Sequence, residues 1–207
     1  MTHNQRIKVA SAAALVVTFA ATAFALRAEG RVWFCKCMQP RLWISEPNGP
    51  HTSQHLLDPY SLTHLEHGLL FFCVLILILP DRPSTTELDG VTTSARRRVL
   101  RFWIATLIEC AWEILENSAW VINRYREGTA ALGYEGDSVW NSLGDVMSCV
   151  AGYLLAMSLG WRRTLVLFVL IEIALVFWIR DNLTLNVVML LYPIEAIKAW
   201  QAPAMAA

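Results

Sequence analysis

Glu109, Glu113 and Glu116 recur at i, i+4 and i+7 of an otherwise apolar run, so at about 100° per residue they share one narrow stripe of a helix. Further on, Asp137, Asn141 and Asp145 are spaced by four, again one helix face. Carboxylates so grouped can do general acid and base work or hold a metal that activates water. Three on one stripe in a low-dielectric setting cannot all stay ionised unless some are protonated, paired or metal-bound. Glu113, Glu116, Asp137, Asn141 and Asp145 are therefore the candidate catalytic residues, with Glu109 deeper on the same stripe. His64 and His67 are three apart, the spacing at which a helix presents two imidazoles to one ion, and they are the candidate ligands of a divalent metal. Arg124, Arg126 and Arg180 are candidate substrate-binding groups, because a guanidinium suits phosphate.

The elements that carry these residues are membrane segments. With 56% hydrophobic and 16% charged positions and a mean hydropathy of +0.42, the chain is too apolar for an ordinary soluble domain and reads as a multi-pass all-α bundle. The 17 basic and 17 acidic residues cancel, and no basic stripe alternates with aromatics, which excludes nucleic acid as a partner. Membrane lipid is the expected surroundings. Residues 1–207 are expected to form a single integral-membrane domain with about six transmembrane helices.

In chain order, residues 9–26 form a first spanning helix or a signal peptide. Residues 27–60 form a long external loop without periodicity, with tryptophans suited to the headgroup level. Residues 62–200 form the helical bundle. Its segments are 62–79, with Ser61 as cap and Pro80-Asp81-Arg82-Pro83 as stop; 99–122; 137–159; 164–179; and 183–200, kinked at Pro193. Ser148, Gly152 and Ala156 mark a small-residue seam for close packing. Glu195 and Lys198 read as a local ion pair. Cys73, Cys110 and Cys149 sit in apolar runs as small core residues. Cys35 and Cys37 lack the two-residue spacing and second cysteine pair of a zinc site, so the spacing argues against a metal role.

Short loops rich in Lys and Arg stay in the cytoplasm. Placing the N-terminus inside assigns ten of the 17 basic residues to that side, with both termini cytoplasmic. Whichever way the bundle points, strict alternation gathers His64, His67, Glu113, Glu116, Arg124, Arg126, Asp137, Asn141 and Arg180-Asp181-Asn182 at one face, and the charge count makes that face periplasmic.

Glu113-Ile-Leu-Glu116-Asn117-Ser118, Arg124-Tyr125-Arg126, Gly136-Asp137-Ser138, Asn141-Ser142, Asp58-Pro59-Tyr60 and the run 180–186 resemble a bacterial inner-membrane family known only as a domain of unknown function of the 2585 type. The resemblance spans the chain from about Asp58 onward and implies a multi-pass protein of the plasma membrane, without an activity. A weaker similarity is to VanZ-like membrane proteins, whose acid, arginine and Asp-x-x-x-Asn-x-x-Gly pattern would fall on Glu116, Arg126, Asp137, Asn141 and Gly144. The glutamine that usually follows the acid is absent, and the similarity implies architecture only.

Three function classes follow. The cluster can serve a hydrolase or transferase acting on a lipid or lipid-linked substrate, with or without a divalent metal. It can simply hold helices in register in a binding or assembly factor. Acids at several depths, Glu172 among them, can also line a proton or cation path, although no two halves of the chain repeat each other.

Overall fold

The computed structural model describes residues 3–47, 49–81, 87–88, 91–131 and 133–205. Arg82 and Pro83 of the expected stop signal, and Asn48, lie outside the described residues. Eight helices follow one another: α1 (His3–Ala28), α2 (Ser61–Ile78), α3 (Thr93–Glu116), α4 (Ala119–Gly128), α5 (Val139–Leu159), α6 (Trp161–Ile179), α7 (Leu183–Leu191) and α8 (Glu195–Met205). Strand β1 (Glu87–Leu88) pairs antiparallel with β2 (Val91–Thr92) in the turn before α3. Among the described residues the regular structure is thus helical apart from one minimal hairpin.

Three helices are long and apolar enough to cross a membrane, over Ala10–Ala28, Ser61–Ile78 and Val139–Leu159. Their neighbours also turn large apolar side chains outward, including Leu107 and Leu115 on α3 and Val166, Leu170 and Phe177 on α6. An apolar surface this extensive is costly in water and marks contact with lipid or protein.

At the centre α5 lies in close contact with α2 and with the loop just before it, and three glycines permit it. A Cβ on Gly68 would collide with the Cys149 carbonyl, one on Gly152 with the Leu65 carbonyl, and one on Gly144 with the Leu56 carbonyl. Gly152 therefore belongs to the expected seam, and Ala156 is fully buried beyond it. Gly144 and Gly68 complete the contact. The apolar core of Leu75, Ala105 and Tyr153, with Phe72 and Phe102 packed on it, occupies the half of the bundle away from the acids.

The helix starts place the site. Ser138 caps α5 by accepting from the Asn141 amide at 3.1 Å, and Ser118 caps α4 through Val121, as short hydroxyl side chains do at orphan amides. Ser61, expected as the cap of α2, is instead its first helical residue. The turn before it is held by Asp58, whose carboxylate accepts from the amides of Tyr60 at 2.8 Å and Ser53 at 2.7 Å.

Two segments differ from the expected boundaries. The third ends at Glu116, because Asn117 turns its amide onto the Glu113 carbonyl at 3.0 Å and Ser118 opens α4. Residues 123–128, expected in a loop, are therefore helical. The last segment is not one kinked helix: Pro193, which has no amide hydrogen, separates α7 from α8. Arg180 reaches the Trp200 carbonyl at 3.2 Å, and Lys198 reaches the Glu127 carbonyl at 2.8 Å rather than forming the expected pair with Glu195. The far end of the segment thus comes back to where it began.

Candidate functional site

The loop before α2 and the loop before α5 meet over one end of the bundle. The amides of Val139 and Trp140 donate to the carbonyls of Val32 and Trp33 at 2.8 and 3.1 Å, and the Ser138 amide donates to Ser53 at 2.8 Å. The same end holds a cavity of about 920 Å³, with Ser53 on its wall, near the upper end of the range for small-molecule sites. His64, His67, Glu116, Asp137 and Asp145 lie on its wall, with Tyr60, Tyr125 and Tyr134.

At its floor α2 meets α3. His64 Nδ1 is 2.7 Å from Glu109 Oε1, and His67 Nδ1 is 3.0 Å from Glu109 Oε2. Glu113 Oε1 is 3.1 Å from the same His64 nitrogen but out of line for a hydrogen bond. Glu109 and Glu113 are fully buried and His64 nearly so. Two sets of potential ligands result, His64 with His67 and Glu109, and His64 with Glu113 and Glu116; within each, the ligand atoms fall within 4.8 Å of one another. Ligands about 2.1 Å from a metal stand roughly 3.0–3.4 Å apart in octahedral or tetrahedral arrangements, and imidazole with carboxylate is a donor set zinc and its neighbours accept. The donor types suit a divalent ion, and the 2.7 Å between His64 Nδ1 and Glu109 Oε1, a hydrogen-bond distance, would have to open by a few tenths of an ångström around one.

The remaining acids divide into two kinds. Asp137 is fully engaged: it accepts from Asn117 at 2.8 Å and from the Tyr134 hydroxyl at 3.0 Å, and its amide donates to Asn117 Oδ1 at 2.7 Å. Asp145 accepts from Ser61 at 2.6 Å, which joins α5 to α2. In contrast, both oxygens of Glu113, one of Glu116 and the Asn141 side-chain nitrogen are buried without a hydrogen-bond partner among the described residues. Buried polar atoms are rarely left so in a finished structure unless a ligand, ion or water completes them.

The surrounding groups outside α2, α3, α5 and α6 are strongly perturbed. Burial pushes the phenols of Tyr60, Tyr125 and Tyr134 well up, with neighbouring carboxylates adding to the effect. Burial also raises the Asp58 carboxyl, although two amides hold its charged form, and lifts Asp181 to about 7.

The three arginines have other work. Arg124 donates to the Leu190 and Leu191 carbonyls at 2.7 and 3.1 Å, Arg126 to the Tyr134 carbonyl at 2.5 Å, and Arg180 to Trp200. None lies on the cavity wall, where the basic side chains are Lys36 and Lys198. The main-chain contacts of the three arginines hold the ends of α4, α6 and α7.

Residues 26–203 match the profile of a family described as a protein of unknown function, DUF2585. The chain belongs to the DUF2585 family. It is 43% identical over 173 residues to a UPF0314 protein of Sinorhizobium fredii, covering 84% of this chain and 81% of that one. It is 44% identical over 191 residues to a UPF0314 protein of Sphingopyxis alaskensis, covering 92% and 93%. A Rhizobium meliloti relative is 40% identical over 173 residues, covering 84% and 81%. No solved structure matches the chain.

Two features of the site escaped the sequence reading. Asn117 ties the α3 terminus to both Asp137 and Ser142; its place in the Glu-Asn-Ser run was the available signal. Glu66 is fully buried on α2 with both carboxylate oxygens unpaired among the described residues, facing Glu172 of α6. Its neighbours at 64 and 67 drew the attention instead.

Proposed function

We propose that this protein is a metal-dependent hydrolase or transferase of the bacterial inner membrane, acting on a lipid or lipid-linked substrate at the periplasmic face. One observation carries the reading: His64, His67 and Glu116 line a large cavity, and Glu109 and Glu113 are buried directly against the histidines, with glutamate oxygens left unpaired among the described residues. Glu109, Glu113, Glu116, Asp137 and Asp145 cannot all stay ionised in a buried cluster without protons or cations, and an ion held by neutral imidazoles would keep Glu109 charged while its neighbours carry protons.

In this reading His64, His67 and Glu109 hold the ion, which when bound would polarise the substrate and acidify a water. Glu113 takes the proton from the attacking nucleophile, and Glu116 returns one to the leaving oxygen. Asp145, Asp137 and Asn141 position these groups. Lys198, rather than the three arginines, is the cation available to an anionic headgroup.

The whole chain is one integral-membrane domain. Helices α1, α2, α3, α5 and α6 cross, while α7 and α8 form a hairpin that leaves and returns at the cavity end. Five crossings replace the six expected, with the N-terminus inside and residues 200–205 on the periplasmic side. The 24 residues of α3 span about 36 Å at 1.5 Å per residue, and the nine of α7 only about 14 Å, too short for a bilayer core of about 30 Å.

A scaffold role is favoured for one part of the cluster by its complete hydrogen bonding, the group of Asp137, Asn117, Ser142 and Tyr134. The two roles separate experimentally. Purified protein in vesicles of bacterial lipid with added zinc or manganese should release a water-soluble headgroup or acyl product detectable by mass spectrometry, and Glu113→Gln should stop release while the unfolding midpoint stays within a few degrees. Loss of folding in Glu113→Gln, or product release unaffected by it, would assign the acids to scaffold.

A further inference from the structure

The loop between α1 and α2 carries a second cluster that the activity above does not use. Cys35 and Cys37 come from its first half, and His51 and His55 from its second. The fold brings one ligand atom from each within 4.8 Å of the others. Cys35 Sγ is 3.5 Å from His51 Nδ1, Cys37 Sγ is 3.9 Å from His55 Nε2, and the two ring nitrogens are 3.4 Å apart. With zinc–sulfur bonds of about 2.3 Å and zinc–nitrogen bonds of about 2.0–2.1 Å, a tetrahedral ion separates sulfur from nitrogen by roughly 3.6 Å and nitrogen from nitrogen by roughly 3.4 Å. These three separations lie within about 0.3 Å of that tetrahedron's edges.

From this geometry we infer that Cys35, Cys37, His51 and His55 form a four-coordinate zinc site that staples the external loop over the cavity mouth. Cys35 and Cys37 have no second cysteine pair; the second pair is histidine, supplied sixteen and eighteen residues on. The site is finished as a metal site is: the Cys37 amide donates to Cys35 Sγ at 3.3 Å, the kind of outer contact that steadies a thiolate ligand. All four ligands lie in one irregular segment, whose halves are joined by main-chain bonds from Ile44 to Leu57, Leu57 to Leu42 and Leu56 to Arg41. A cross-link between its halves would fix the wall formed by Cys35, Cys37 and His51 in the cavity.

His55 is the weakest of the four. The Arg41 amide donates to its Nδ1 at 3.2 Å, which in a neutral ring leaves the proton on Nε2, inside the cluster. Metal uptake moves that proton and loosens the Arg41 contact, and the two thiols release theirs, so binding weakens in acid. A four-ligand site with two thiolates selects zinc over magnesium or calcium.

This inference stands apart from the catalytic reading, and thiolate ligation makes the two sites distinguishable. Full-length protein in detergent is stripped with chelator and titrated with cobalt(II), then with zinc. The site predicts one equivalent of cobalt with the thiolate charge-transfer and intense visible absorption of a tetrahedral ion, displaced by zinc. The signal should be lost in Cys35→Ser and Cys37→Ser, weakened at least tenfold in affinity in His55→Ala, and retained in the double variant His67→Ala, Glu109→Gln. A second readout needs no variant: zinc should protect Cys35 and Cys37 of the wild-type chain from a thiol reagent, and chelator should expose them. Equal thiol reactivity with and without zinc, an undiminished cobalt spectrum in Cys37→Ser, or a Cys35–Cys37 disulfide in freshly purified protein would each overturn the site.

Discussion

His64 Nδ1 stands 2.7 Å from Glu109 Oε1 in a pair almost wholly removed from solvent. A single ring nitrogen offers one proton or one lone pair, yet Glu113 Oε1 also lies 3.1 Å from this atom. One of the two acids must therefore be served by a proton or an ion. Glu113 is the one without a hydrogen-bond partner, which makes it the residue whose neutralisation should cost activity and not folding. We expect Glu113→Gln to lower turnover about 10²–10⁴-fold, the usual worth of a general base, with the thermal midpoint of the purified protein essentially unchanged.

The approach of α2 to α5 gives a stability prediction. Gly144 and Gly152 face the carbonyls of Leu56 and Leu65 with no room for a Cβ, so Gly144→Ala and Gly152→Ala should each destabilise by about 1–3 kcal/mol through overpacking. Gly133 has open space around it, and Gly133→Ala should change stability by less than about 0.5 kcal/mol. Denaturation in detergent compares the three directly.

Asn117 is the joint between α3 and the start of α5. Its side chain contacts the Glu113 carbonyl, the Asp137 carboxylate and amide, and Ser142. Asn117→Ala leaves buried partners without their bonds, each costing about 1–3 kcal/mol. It should be the most destabilising polar substitution in the cluster and should cost activity only through lost folding.

Asp181 sets a pH dependence. Its ordinary value is near 4, and burial raises the folded-state value to about 7, with Glu172 adding to the shift and the Asn182 amide and Gln201 opposing it. Between about pH 4 and pH 7 the folded chain holds a proton that the unfolded chain has lost, so this group's contribution to stability falls as pH rises through that window. Asp181→Asn should flatten that part of the stability profile and make the protein more stable than wild type above pH 7. A steeper fall in the variant would contradict the assignment.

The parts of this architecture that follow helical periodicity were legible in the residues themselves. Glu109, Glu113 and Glu116 could be placed on one stripe because a helix repeats every 3.6 residues, and alternation of apolar segments then brought His64 and His67 to the same end. Contacts that join distant positions without periodicity were not legible. Nothing in the separation of Cys37 from His55, or of Ser61 from Asp145, reveals that they meet. The break between α7 and α8 was hidden for a related reason: hydropathy shows that residues 183–200 avoid water but carries no sign of the carbonyls that Arg180 and Lys198 reach. Arg124 and Arg126 looked free because the helix that points them at main-chain carbonyls was read as loop.

The proposed hairpin makes a topological prediction. In intact cells, a membrane-impermeant thiol reagent should label single cysteines introduced at Trp33 and at Trp200 but not one at Arg97. Labelling at Trp33 without labelling at Trp200 would restore a sixth crossing.

The account's central claim, that the His64, His67 and Glu109 cluster holds a divalent ion, is tested most directly by counting metal in the Cys35→Ser, Cys37→Ser double variant, from which the loop site is absent. Elemental analysis after dialysis against zinc and manganese should find one equivalent in that protein, and none once Glu109→Gln and His67→Ala are added to it. A folded double variant with no metal, or with metal indifferent to Glu109 and His67, would contradict the claim.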